Sequence, residues 1–185
     1  MIASSRPGVS RSIKKKMAGR HILVRVDDHR WQREIPRVVS FCRATVAEVL
    51  TRSPRLASEL SIMLTDDNTI RGLNRQYRNR DTATNVLSFA LAPEAAQTGQ
   101  SATLGDIVLG FDTVCREARA QGKSFANHSR HLLVHGTLHL LGHDHEGAVE
   151  SETMERVEIE VLAAFGVGNP YILADDSGSL REKGR

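Results

Sequence analysis

The sequence predicts an α+β domain, with about four short strands in a mixed sheet packed with about five helices. Three observations carry this. Short runs rich in β-branched residues, such as HILVRVD at 21–27, alternate as half-buried strands do. Longer stretches repeat apolar residues at the helical period. The strands are not separated by regular helices, which argues against a doubly wound sheet. At 185 residues the chain fits one domain, given roughly 100–200 residues per domain.

From the N-terminal side, HILVRVD is the first strand, and Asp28 is placed to cap the helix after it. Ile35, Val38, Val39, Cys42, Val46 and Val49 then keep a helical period from Trp31 to Leu50, with Pro36 tolerable only in a first turn. Ser53-Pro54-Arg55 breaks that helix. LSIMLT at 60–65 is a second strand. Asp66 and Asp67 offer caps for a short helix carrying Ile70, Leu73 and Tyr77. A polar loop leads into NVLSFAL at 85–91, a third strand. Residues 92–103 are small and polar and are expected to form a flexible loop. GDIVLG at 105–110 is a compact buried strand. Helices are expected over 112–121, over 127–141 with Gly142 as its stop, and over 149–165 with Gly166 as its stop. The domain is therefore placed at 21–171, with a polar tail over 172–185.

Composition narrows the class. Apolar residues make up 40% of the chain but aromatics only 4%, so a core of Leu, Val, Ile and Ala is expected. No run approaches the ~18 apolar residues of a membrane span. Cys42 and Cys115 both sit in apolar helical patterns, as two buried thiols of a reducing compartment would. The net charge of +3 hides an asymmetry. Residues 1–20 hold six basic side chains and no acid, while the other 165 carry 19 basic and 22 acidic ones. The basic character belongs to an N-terminal extension, expected to be disordered. Two other readings of that extension stay open: an arm that touches RNA, or a start upstream of a true beginning at Met17. No apolar stretch comes after its charges, so it is not a secretory signal.

The chemistry concentrates in HGTLHLLGHDH, residues 135–145, which holds four of the eight histidines. His135 and His139 are four apart, which stacks both imidazoles on one helical face. Gly142 lets the chain turn, so that His145 can come round to meet them. Three imidazoles leave an open position on a tetrahedral Zn²⁺, the arrangement a hydrolytic site needs. His131 and His143 also keep helical spacing. Gly142 is expected to take His143 off the face, and His128 and His131 are expected to support the site or lie at the surface. Asp144 is read as a partner to an imidazole N–H. The H-E-x-x-H proteases place their general base where this chain has Gly136, which disfavours peptide hydrolysis.

These residues resemble the YbeY-type family of bacterial metallo-endoribonucleases. HGTLHLLGHDH is similar to that family's hallmark. LNRQYRNRDTATNVLSFAL at 73–91 and LGDIVL at 104–109 resemble two further blocks. Met154 and Glu158, and the GxGNPY ending at Tyr171, also fit, so the likeness spans about 21–171. It implies a zinc-dependent endoribonuclease specific for single strands, acting in the cytoplasm. It also implies maturation of the 3′ end of small-subunit ribosomal RNA and ribosome quality control, with the small subunit or its assembly factors as partners. His135, His139 and His145 match the family's ligands for one zinc or another divalent transition metal, and Arg78 matches its functional arginine. Asn79 stands where glycine is usual, and His143 where tyrosine is commoner. An arginine fork suits phosphate oxygens, and Asp81 is placed either to orient it or to cap the turn. Arg71, Arg75, Arg78 and Arg80 form either a basic groove or a solvated helix face. Two rival readings remain at this point: another metallohydrolase such as a peptidase or amidase, and a ribosome-associated factor with a structural metal.

Overall fold

The computed structural model describes residues 21–53, 57–91, 102–143 and 147–172. The basic extension, Asp144, His145, and residues 173–185 of the tail lie outside them. Within the described residues are four strands: β1 (His21–Val26), β2 (Ala57–Thr65), β3 (Val86–Ala90) and β4 (Ala102–Gly110). Six helices accompany them: α1 (Arg30–Glu34), α2 (Val38–Arg52), α3 (Asp67–Arg78), α4 (Phe111–Ala120), α5 (Phe125–Leu140) and α6 (Ala148–Ala163).

The sheet is mixed, in the order β1-β2-β4-β3. β1, β2 and β4 run parallel, and β3 pairs antiparallel with β4 as an edge strand. Alternation decides which side chains meet which layer. Leu60, Ile62 and Leu64 of β2 and Ile107 and Leu109 of β4 join one core with residues of α2, α5 and α6. On the opposite face Val108 and Leu87 pack with Ile70 of α3. The sheet is thus covered by α2 and α5 on one side and by α3 on the other.

Three expectations need correction. The helix read from Trp31 to Leu50 is two helices, making six rather than five. Pro36 donates no N–H and disfavours a helical conformation at the residue before it. Ile35 accordingly sits at φ −131° and ψ 89°. Asp28 still receives a backbone N–H, from Arg30 at 2.9 Å. The aromatics, although few, are not peripheral. Trp31 is fully buried, and it contacts Phe111 edge-on at 5.5 Å and Phe125 at 5.1 Å, joining α1, α4 and α5. β4 also begins at Ala102, inside the stretch read as loop.

The helix ends match their residues closely. Asp66 caps α3 by accepting from the Thr69 N–H at 2.8 Å. Asn79 ends it with φ +55°, a left-handed geometry that asparagine tolerates and glycine prefers. This accounts for asparagine at a position where glycine is usual. α5 ends in paired bonds, from Gly142 N–H to His139 C=O at 2.9 Å and from His143 N–H to Leu138 C=O at 3.0 Å. Gly142 at φ +88° makes that turn, and it carries His143 off the helical face.

Candidate metal and phosphate site

α5 supplies the centre. The helix is buried along Leu132, Leu133, Val134 and Leu138, which fixes its rotation against the sheet. That rotation sends His135 and His139 to the edge beside β3. Their Nε2 atoms lie 3.1 Å apart. Gly136 lets the helix approach. A Cβ at 136 would meet Ser88 Oγ at 2.9 Å, Ile107 Cγ2 at 3.3 Å and Val86 Cγ2 at 3.4 Å. The position that would carry the base of an H-E-x-x-H protease is therefore filled by the sheet, which counts against the peptidase reading.

Glu158 of α6 completes the arrangement. Its side chain is fully buried, with Oε1 2.9 Å from His135 Nδ1 and Oε2 2.9 Å from His131 Nε2. The Tyr171 hydroxyl also donates to Oε2. Burial pushes the carboxyl up, but the bonds from His131, His135 and Tyr171 outweigh it and hold Glu158 down at about 2. Burial, together with the same carboxylate, pushes the Tyr171 hydroxyl well above its ordinary value. An ionised Glu158 can only accept. His135 therefore carries its proton on Nδ1 and turns the Nε2 lone pair toward His139.

This donor set fits a metal. A carboxylate on the far nitrogen is the usual support of a metal-bound imidazole. Two imidazole nitrogens about 2.0–2.1 Å from a tetrahedral zinc stand roughly 3.3 Å apart, close to the observed spacing. Among the described residues no group of three ligands is assembled. The third expected ligand, His145, lies outside them, as does Asp144.

Arg78 closes the other side. It lines one cavity of about 400 Å³ with Asn85, Val86, Ser88, His135 and His139. Its Nη2 donates to the Ser88 carbonyl at 3.3 Å, which ties the exposed guanidinium to the edge strand. Asp81 does not orient it; that carboxylate pairs with Arg71 at 2.9 and 3.0 Å. Arg75 and Arg80 are exposed and do not line this cavity. His143 lines a separate cavity with Val49, Leu138 and Val157. His131 supports the centre through Glu158, and His128 donates to Glu117 at 2.9 Å. Glu158 and Tyr171 received no role from the sequence, because their partners lie 23 and 13 residues away and no periodicity reports such contacts. The only trace was their place in the family-like Met154–Glu158 and GxGNPY patterns.

Comparison with known proteins places the chain in a family. The profile of the family described as Endoribonuclease YbeY matches residues 21–166. A protein named Endoribonuclease YbeY from Chelativorans sp. is 46% identical over 129 residues, covering 70% of this chain and 79% of that one. One from Rhizobium johnstonii is 41% identical over 163 residues, covering 84% and 95%. The solution structure of TM1509 from Thermotoga maritima shares the fold, with a TM-score of 0.50 at 22% identity, covering 79% of this chain and 92% of that one. The chain belongs to the Endoribonuclease YbeY family.

Proposed function

We propose that the protein is a metal-dependent endoribonuclease that cleaves single-stranded RNA. His135, His139 and His145 would hold one zinc ion, or another divalent transition metal, and Arg78 would bind the phosphate. The observation that carries this is the pair of imidazoles, oriented by Glu158, opening into the same cavity as Arg78. What such an ion supplies when bound is polarisation of a phosphoryl oxygen and water acidic enough to attack near neutral pH.

The chain's own residues do the rest. Glu158 fixes the tautomer and ring orientation of His135. Arg78 uses one N–H to grip the edge strand, leaving other N–H groups of its planar fork for phosphate oxygens. Charge that builds up on phosphorus substituents then meets a guanidinium already in place, so little reorganisation is needed. Gly136 keeps α5 against β3, which sets the spacing between the imidazoles and Arg78. The motif resemblance extends the proposal to the 3′ end of small-subunit ribosomal RNA and to quality control in the cytoplasm, with the small subunit or its assembly factors as partners.

The test is cleavage of single-stranded and duplex RNA by purified protein of measured metal content, beside His139→Ala and Arg78→Ala. Single-strand-selective cleavage that tracks metal, and is lost in both folded variants, is the expected result. Equal cleavage by the wild type and His139→Ala would overturn the reading.

A further inference from the structure

A second cavity of about 300 Å³ lies beside the first. Both are lined by Asn85, Val86 and His135, so the two cavities adjoin across these residues. The second cavity adds Glu117, His128 and Tyr171. Its volume is at the low end of the roughly 300–1,000 Å³ of small-ligand pockets.

Glu117 is oddly placed for a structural carboxylate. Asn85 Nδ2 and His128 Nε2 both donate to the same oxygen, Oε2, each at 2.9 Å. Among the described residues Oε1 receives no hydrogen bond, and no lysine or arginine pairs with the group. Its side chain is 31% exposed, so a ligand can reach it. Burial pushes His128 below the ordinary imidazole value, against the pull of Glu117, so the second donor is neutral too. Glu117 Oε1 thus takes no protein donor among the described residues and is open to accept an N–H from a ligand in the cavity.

Tyr171 lines the same cavity. Its hydroxyl is fixed on Glu158 and its ring stands edge-on to His131 at 5.6 Å. The chain before it is anchored where Lys123 Nζ donates to the Pro170 carbonyl at 2.8 Å. The residue remains 44% exposed. Bases of single-stranded RNA are commonly recognised by an aromatic ring together with hydrogen bonds to a base edge.

We propose that this cavity is a nucleobase subsite, in which a base next to the reacting phosphate lies against Tyr171 and donates an exocyclic N–H to Glu117 Oε1. Cytosine, adenine and guanine carry that amino group. Uracil presents a carbonyl there, which faces the carboxylate unfavourably. One good edge contact is worth about tenfold in discrimination or more. The proposal rests on the endoribonuclease reading, but it concerns binding and can be tested apart from it.

The full-length protein would be titrated with cytidine and uridine monophosphates and followed by amide and side-chain resonances of Asn85, Glu117 and Tyr171. In parallel, single-stranded oligonucleotides carrying C or U at each position flanking the mapped cut would be cleaved. Cytidine monophosphate is expected to bind about tenfold more tightly than uridine monophosphate, with the same preference at one flanking position. Glu117→Gln keeps an oxygen for Asn85 and His128 and turns an N–H₂ toward the cavity, so it should reverse the preference. Tyr171→Phe should keep it, and Tyr171→Leu should weaken both nucleotides. Equal binding of the two nucleotides, or an unchanged preference in a folded Glu117→Gln protein, overturns the subsite. Cleavage without base preference removes the subsite and leaves the nuclease. Discriminating binding without any cleavage removes the nuclease and leaves the subsite.

Discussion

Glu158→Gln is the most informative single change, because it keeps the shape and removes the charge. The carboxylate takes three donors without leaving the core: His131, His135 and the Tyr171 hydroxyl. They hold it at about 2 against an ordinary 4.5, a gap worth roughly 3 kcal/mol in favour of the charged form. Glutamine offers one oxygen and one N–H₂ to the same donors. One imidazole must then face a donor, or move its proton to the other nitrogen. If His135 moves it, Nε2 no longer presents a lone pair toward His139. Stability at neutral pH should fall by about 2–4 kcal/mol, and metal affinity by about 10–100-fold. The pH dependence has a definite sign. A depressed carboxyl contributes stability that is present above its unfolded value of 4.5 and is lost as pH falls toward 2. The wild type should therefore lose its advantage over Glu158→Gln across that window. Urea unfolding at several pH values and competition with a metal chelator measure both quantities. A folded Glu158→Gln protein with wild-type metal affinity would refute the orienting role.

Other changes test single contacts. Gly136→Ala should lower stability by about 1–3 kcal/mol, because its Cβ would meet Ser88, Ile107 and Val86 at 2.9–3.4 Å; thermal unfolding checks this. Asn79→Ala should cost about 1 kcal/mol at φ +55°, whereas Asn79→Gly should be near neutral, as urea midpoints would show. Arg78→Lys should lower kcat/KM on single-stranded RNA by about 10²-fold while leaving the melting temperature unchanged, since a lysine lacks the fork. Arg30 bonds hold the Asp28 and Asp112 carboxyls below their usual range. Their stabilisation is thus present above ~3.9 and fades as pH falls below it, so Arg30→Met should flatten the acid limb of the stability profile by about 1 kcal/mol or less, given their exposure.

What was legible in the sequence was what local spacing encodes. His135 and His139 are four apart on one helix, and Gly142 stops that helix, so their convergence and the departure of His143 both came from helical geometry. Asp66 capped the helix it preceded for the same reason. The split at Pro36 was a misjudged local rule, since the proline sat too far in for a first turn that began near Trp31. The remainder depended on contacts between elements. Asp81 was three residues from Arg78, yet it turned to Arg71, because the left-handed turn at Asn79 redirects the chain. Glu158 reached the site only because α6 packs on α5; its place on the apolar stripe with Met154, Val161 and Leu162 sets it apart from Glu155 and Glu160, but spacing along α6 does not name its partners. The aromatic trio of Trp31, Phe111 and Phe125 was hidden by its low count, since composition does not show that scarce residues gather.

The site's precision rests on one close approach. Arg78 is held by the carbonyl of Ser88, and Gly136 of α5 abuts the side chain of the same residue. Ser88 therefore serves as a common reference for the two halves, the guanidinium on one side and the imidazole pair on the other. Among the described residues β3 is an edge strand paired with β4 alone, so its register against β4 is what fixes Ser88 in turn. Val86, Leu87 and Phe89 pin that register from both faces of the sheet. A slip by one residue would send Ser88 to the opposite face and separate Arg78 from His135. This makes the apolar alternation of β3 a requirement of the site as much as of the core. A substitution that loosens Leu87, such as Leu87→Ala, should then impair phosphate binding at Arg78 beyond what its loss of stability explains.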